Sequence, residues 1–442
     1  MINWIKWAQV LLLGAVVLYG KDVCAYFDNI KEFKLDNGLQ VVLWENHRAP
    51  IIKQMVFYKT GAVDEITGKG GLAHLLEHLM FRGTKKLPGQ SFNDLMEKNG
   101  AISNAYTTQD VTAYHQFLDI SRLETAMFAE ADRMENLDFS DEDFVAEQQI
   151  VLEERRQRID NNPSAKFYER LRKTLWQEHP YSKQVAGEVE EINRLTLNDA
   201  KEFYRRYYSP NNAVLVLAGD IDETKAKELT QKHYGKLQPY TEAHRLIPEI
   251  VGGYKGVLEM QLSGVKMPRL LTVYITPSFN YQPEKVYAFE VLGEYLGGDK
   301  NSYFYQRMVM QNKKALSVDV SYNPFSRSAG VMEITAVPRE KADDDFANAV
   351  LRGMDYAMAK LNDEQLEMVK NKIIADLIYS EDNLSQVAEL IGAFAARGIN
   401  LKKLQEYEDN IRKVSLDDVK EAFTYLQTTA PRITGLLNPK EN

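Results

Sequence analysis

Two short stretches near the start of the chain, "LQVVLWE" (39–45) and "IIKQMVFYK" (51–59), are rich in apolar and β-branched residues and predict strands. The pattern then changes period. Leu72, Leu75, Leu76 and Leu79 recur at helical spacing and predict a buried helix over "LAHLLEHL". The same succession returns later: "VLEMQL" (257–262) and "LLTVYITP" (270–277), then a helix near 284–296. Two further segments match each other. "LTLNDAKEFY" (195–204) resembles "VSLDDVKEAF" (414–423), and both read as helix starts with Thr196 or Ser415 as N-cap and Asp199 or Asp418 three residues on. A strand follows each, "AVLVLAGD" (213–220) and "RITGLLNP" (432–439). Strand–strand–helix twice, with long helices between, predicts an α+β protein of two tandem domains. The expected division is residues 26–236 and 257–442, with a linker at 237–256, where prolines and glycines interrupt any periodicity.

Residues 1–25 follow a different pattern. Lys6 precedes an apolar run from Trp7 to Gly20, and small residues come before Tyr26. That layout predicts a secretory signal peptide cut after Ala25, hence a periplasmic protein in a Gram-negative source; an uncleaved membrane anchor is the alternative. Cys24 is the only cysteine, so the mature chain would have no thiolate, and any metal must be held by His and carboxylate. At 44% hydrophobic and 26% charged, the 442 residues have the composition of a soluble globular protein. A net charge of −9 gives no reason to expect a nucleic-acid partner.

The predicted helix at 72–79 carries two of the seven histidines. His74, Glu77 and His78 stand at i, i+3 and i+4 and share one face. One reading is a core helix with two hydrogen-bonded histidines. The other is a zinc site, in which imidazoles at i and i+4 bind one Zn2+ and the adjacent carboxylate takes a proton from a bound water. The repeat acts as a control: shifted by 217 positions, His74 falls on Val291, Glu77 on Glu294 and His78 on Tyr295. A fold shared by both halves therefore does not need the two histidines, and a site is the better reading. A catalytic zinc takes three protein ligands and leaves one position open. "FSDEDFVAEQQIVLEERRQRID" predicts a long helix capped by Ser140, with Phe144, Val145, Ile150 and Val151 in core-like positions. Glu147 and Glu154 are two turns apart and share a face, whereas Glu153 points elsewhere. Such a pair serves as ligand and proton-handling group, or as a solvated acidic face; helical phase alone leaves both open.

With these residues in place, the chain resembles the M16 (pitrilysin or inverzincin) zinc metallopeptidases, near their processing-peptidase branch. The motif there is His-x-x-Glu-His followed roughly 75 residues later by a Glu ligand, and here His78 and Glu154 are 76 positions apart (154 − 78). The likeness continues through "NGAISNAYTTQDVTAYHQ" (99–116) and "HPYSKQVAGEVEEINRLTLNDAKEFYRRYYSPNNAVLVLAGDID" (179–222). It implies two homologous domains, each a mostly antiparallel sheet packed with long helices. It implies one Zn2+ per chain held by His74, His78 and Glu154, with Glu77 as general base and Glu147 as an additional site glutamate. It also implies that a peptide substrate adds to the edge strand "SNAYTT" (103–108), with Asn104 and Ala105 as contacts. The second half departs from the family pattern. An Arg and a Tyr that assist the reaction in other members are replaced by Tyr303 and Leu316, and Arg307 lies one turn beyond. The resemblance thus implies a zinc endopeptidase acting on extended peptides, paired with a second M16-like chain that brings the Arg–Tyr pair, or else a homodimer. A scaffold or binding subunit with the same fold is the alternative.

Overall fold

The structure is a computed structural model and describes residues 27–240, 247, 250, 255–380 and 382–440. The expected leader (1–25) and most of the expected linker (237–256) lie outside the described residues. Six strands form the first sheet: β1 (Ile30–Lys34), β2 (Gln40–Glu45), β3 (Ile51–Tyr58), β4 (Ile102–Thr107), β5 (Thr112–Asp119) and β6 (Ala213–Gly219), in the order β1-β2-β6-β3-β5-β4. Five form the second: β7 (Lys255–Leu262), β8 (Arg269–Thr276), β9 (Ala315–Asn323), β10 (Gly330–Pro338) and β11 (Arg432–Pro439), in the order β7-β11-β8-β10-β9. Apart from β1, the two orders are one plan. In each, a single parallel pair (β2 with β6, β7 with β11) interrupts an otherwise antiparallel sheet. The two matching helix starts both close as capping boxes, Thr196 with Asp199 and Ser415 with Asp418.

The helices repeat as well. After β5 come helices Leu123–Asn136, Asp141–Arg155 and Pro163–Trp176; after β10 come Asp344–Met358, Asp363–Ser380 and Leu384–Ala396. The third helix of each set crosses to the other half. Helix Pro163–Trp176 sets Phe167, Leu171 and Leu175 against Leu271, Val273 and Ile433 of the second sheet. Helix Leu384–Ala396 sets Ile391 and Phe394 into the cluster formed by Val42, Trp44, Phe57 and Val216 of the first. The approach is close: a Cβ on Gly392 would stand 2.0 Å from the Phe57 ring. This exchange explains why β6 is apolar along its whole length and why β2 and β3 carry long apolar runs. One face packs their own helices and the other packs the borrowed one. Polar contacts also bridge the halves. Arg327 reaches Asp64 at 2.9 Å and Asp110 at 3.3 Å, and Tyr106 of β4 hydrogen-bonds Glu389 of the borrowed helix.

Candidate metal centre and peptide cleft

The helix carrying the histidines, Leu72–Leu79, starts at Gly71, whose φ of +85° suits glycine. Its entry is braced twice. The Ala73 N–H donates to the buried Glu65 carboxylate at 2.9 Å. A Cβ on Gly71 would come within 3.0 Å of the Ala186 carbonyl, so only glycine lets the loop 183–187 lie against the helix start. Leu72, Leu75, Leu76 and Leu79 are buried, as their spacing predicts, and His74, Glu77 and His78 face away from them into a cleft. The second contributor, Asp141–Arg155, is capped by Ser140 and Asp143 in a reciprocal box. Its buried side chains are Phe144, Glu147, Val151, Leu152 and Arg155, the positions of one helical face. Val145 and Ile150, expected in the core, are instead 55% and 43% exposed. They flank that face, and the stripe that packs inward includes the two charged residues.

The fold brings His74, His78 and Glu154 together: one ligand atom from each lies within 4.8 Å of the others. His74 Nε2 is 3.7 Å from one Glu154 oxygen and His78 Nε2 is 4.0 Å from the other, too long for hydrogen bonds. The rings stand edge to face at 84°. His78 Nδ1 lies 2.9 Å from Glu147 Oε2. A carboxylate there accepts, so Nδ1 carries a proton and Nε2 is the nitrogen turned toward Glu154. Burial, then the charges of His78 and Arg158, push the His74 imidazole down to about 3, so it is neutral. Two imidazole Nε2 atoms and a carboxylate gathered about one point make a donor set that fits a divalent cation, which would take the His78 Nε2 lone pair in place of a proton. Two nitrogens and one oxygen, with the cleft on the open side, are the donors that zinc takes.

Around this set the remaining predicted residues take distinct places. Glu77 accepts a 2.6 Å hydrogen bond from the Thr107 hydroxyl of β4, and burial raises its carboxyl against that bond. Glu147 lies between His78 and the Arg82 guanidinium; burial pushes it up, but those two partners outweigh it and hold it below the ordinary range. Burial pulls the His78 imidazole down, and its hydrogen bond to Glu147 with the surrounding carboxylate charges outweighs this and raises it. Glu153 is turned to solvent, on Gln157 at 2.9 Å and Arg156 at 3.5 Å.

The cleft holds about 710 Å³ and is walled by β4, by the two helices and by Gln184–Ala186. β4 is the sheet edge. Because Thr108 N–H bonds the Val111 carbonyl across the hairpin, alternation turns the N–H and C=O groups of Ser103, Ala105 and Thr107 outward. Ala105 N–H meets the carboxamide oxygen of Asn104, 2.9 Å away. Three participants were not singled out in the sequence. Arg82 was readable, since it stands one turn beyond His78 on the same stripe. Thr107 and the loop 183–187 depend on tertiary approach and left no local signal.

Residues 40–189 match the family model described as insulinase (peptidase family M16), and residues 194–373 match that of the peptidase M16 inactive domain. The chain belongs to peptidase family M16. It is similar to the zinc protease PqqE of Helicobacter pylori, 29% identical over 414 residues that cover 92% of each chain. It is also similar to a probable mitochondrial-processing peptidase subunit beta of Arabidopsis thaliana, at 23% identity over 81% of this chain and 68% of that one. Among solved structures, a protease from Helicobacter pylori superimposes with a TM-score of 0.84 at 27% identity, over 93% of this chain and 99% of that one.

Proposed function

We propose that this chain is a zinc-dependent endopeptidase that hydrolyses extended or unfolded peptides, and that it is the metal-bearing member of a pair. The observation that carries this reading is the joining of three features in one cleft: a three-donor set, a carboxylate beside it, and an open strand edge. His74, His78 and Glu154 would hold one zinc. When bound, zinc lowers the pKa of an attached water towards 7 and polarises a carbonyl. Glu77 keeps one oxygen on Thr107, takes the water's proton on the other and passes it to the leaving amine. Glu147 fixes the His78 tautomer and ring orientation. A substrate segment adds as a strand to β4, where Ala105 offers N–H and C=O and Asn104 gives way. The Lys6-led apolar segment supports export to the periplasm, and the strand order used twice supports residues 26–236 and 257–442 as the two domains. Among the described residues, no helix is long and apolar enough to cross a membrane.

Metal content tests the ligand set. Glu154→Gln is expected to lower bound zinc sharply and Glu153→Gln to leave it nearly unchanged. Glu147→Gln keeps the metal and slows turnover roughly 10–100-fold. Zinc retained by Glu154→Gln and lost by Glu153→Gln would overturn the assignment. Export is tested by N-terminal sequencing of protein from the native host: the expected first residue is Tyr26, and an intact Met1 in membrane fractions would favour the anchor.

A further inference from the structure

The charges that line the cleft are unevenly committed. Glu147 is held between His78 and Arg82, Glu77 accepts from Thr107, and Glu154 belongs to the donor set. Among the described residues, no other carboxylate lines the cleft. Of the two guanidiniums, Arg82 is spent on Glu147. Arg158 is not. It follows Glu154 by one turn, in the wider π turn Arg156–Asp160 that continues the helix, and its side chain is 70% exposed at the cleft. Its ion pair is with Glu154, at 3.2 Å. Its field reaches the reacting groups, acting on both His74 and Glu77. A cation on the donor set draws the Glu154 charge to itself and leaves Arg158 short of a counter-charge, beside the place where the scissile bond must lie. The rest of that wall, Ile159 and Gln184–Ala186, is uncharged.

We propose that Arg158 is a specificity determinant, selecting peptides with an acidic side chain next to the bond that is cut. This rests on the peptidase reading above and names its substrate class. A basic side chain at the same place meets a guanidinium and finds no free carboxylate. An acidic one gains a planar, two-pronged partner.

Three peptides differing only by Asp, Gln or Lys beside the cleaved bond decide it. The wild-type protein is expected to favour Asp over Lys by roughly tenfold in kcat/KM, as a partly exposed charge pair gives a few-fold gain and the like pair a few-fold loss. In Arg158→Gln the ratio falls toward one, and in Arg158→Glu it inverts. Each ratio comes from a single preparation, so differences in metal loading cancel. A second arm measures fluorescence anisotropy of the labelled peptides on zinc-loaded Glu77→Gln protein, where the same order is expected without turnover. A wild-type ratio that survives in Arg158→Gln, or a preference for Lys, overturns the proposal. Binding that keeps the charge order, with no cleavage by the zinc-loaded wild-type protein, would overturn the peptidase reading and leave Arg158 as the selector of acidic peptides; peptides neither bound nor cut by the wild-type protein would overturn both.

Discussion

Glu77→Gln is expected to keep its zinc and to lose peptidase activity by several orders of magnitude. The substitution is nearly isosteric. Its carboxamide oxygen still accepts from Thr107, and the three metal donors are untouched. What disappears is the oxygen that takes a proton. Loss of acid–base help alone costs roughly 10²–10⁴-fold. Here the same group also makes the nucleophile, so the loss is larger. Metal analysis and turnover of an unstructured peptide, measured on the same preparation, check both halves of the statement. Wild-type-like turnover in a zinc-loaded Glu77→Gln protein would refute the mechanism.

The second large effect concerns a missing pair of groups. Where other family members are expected to offer Arg and Tyr, this chain has Tyr303 and Leu316, and both are placed elsewhere. The Tyr303 hydroxyl accepts from Gln365 at 2.8 Å, and Leu316 lies on β9, 43% exposed. Arg307, the nearest arginine in sequence, stacks on Tyr356 at 4.6 Å. None of the three lines the cleft. Removing one positioned donor from a developing oxyanion costs roughly 10²–10³-fold. The purified chain is therefore expected to be slow even when fully loaded with zinc, and a second M16-like chain bearing the Arg–Tyr stretch should raise turnover by at least that factor. The comparison is turnover of one peptide by the chain alone and with the partner added. Full activity alone, unchanged by any partner, would refute the pairing.

Much of this arrangement was readable because it is periodic. Leucines at helical spacing placed the histidine stripe on one face, and the two-turn interval from Glu147 distinguished Glu154 from its neighbour Glu153. The duplicated N-caps marked equivalent points of the two halves, and the sheets confirm one strand order used twice. The long apolar strands were legible as strands, but their reason was not. Phe57 needs a cover on its far face, and that cover, the helix around Gly392, lies more than 300 residues away in sequence. The same limit applies to Val145 and Ile150. Their hydrophobicity predicted burial, and only the packing of Glu147 and Arg155 shows that the buried stripe runs beside them. Contacts made by loops, such as Gly71 against Ala186, leave no period to detect.

The reciprocal loan of helices has a consequence for how the chain is made. When β6 leaves the ribosome, the first sheet has all its strands, yet one face, with Val42, Phe57 and Val216, has nothing on it. Its cover begins at Leu384, about 165 residues later, which at roughly 5–20 residues per second is a wait on the order of ten to thirty seconds. For that interval a nascent chain shows a broad apolar surface of the kind that holdase chaperones bind and that aggregates when left bare. The first half expressed by itself keeps that surface permanently, and the second half by itself bares Leu271, Val273 and Ile433 in the same way. The duplicated design is thus two domains in pattern and one unit in folding.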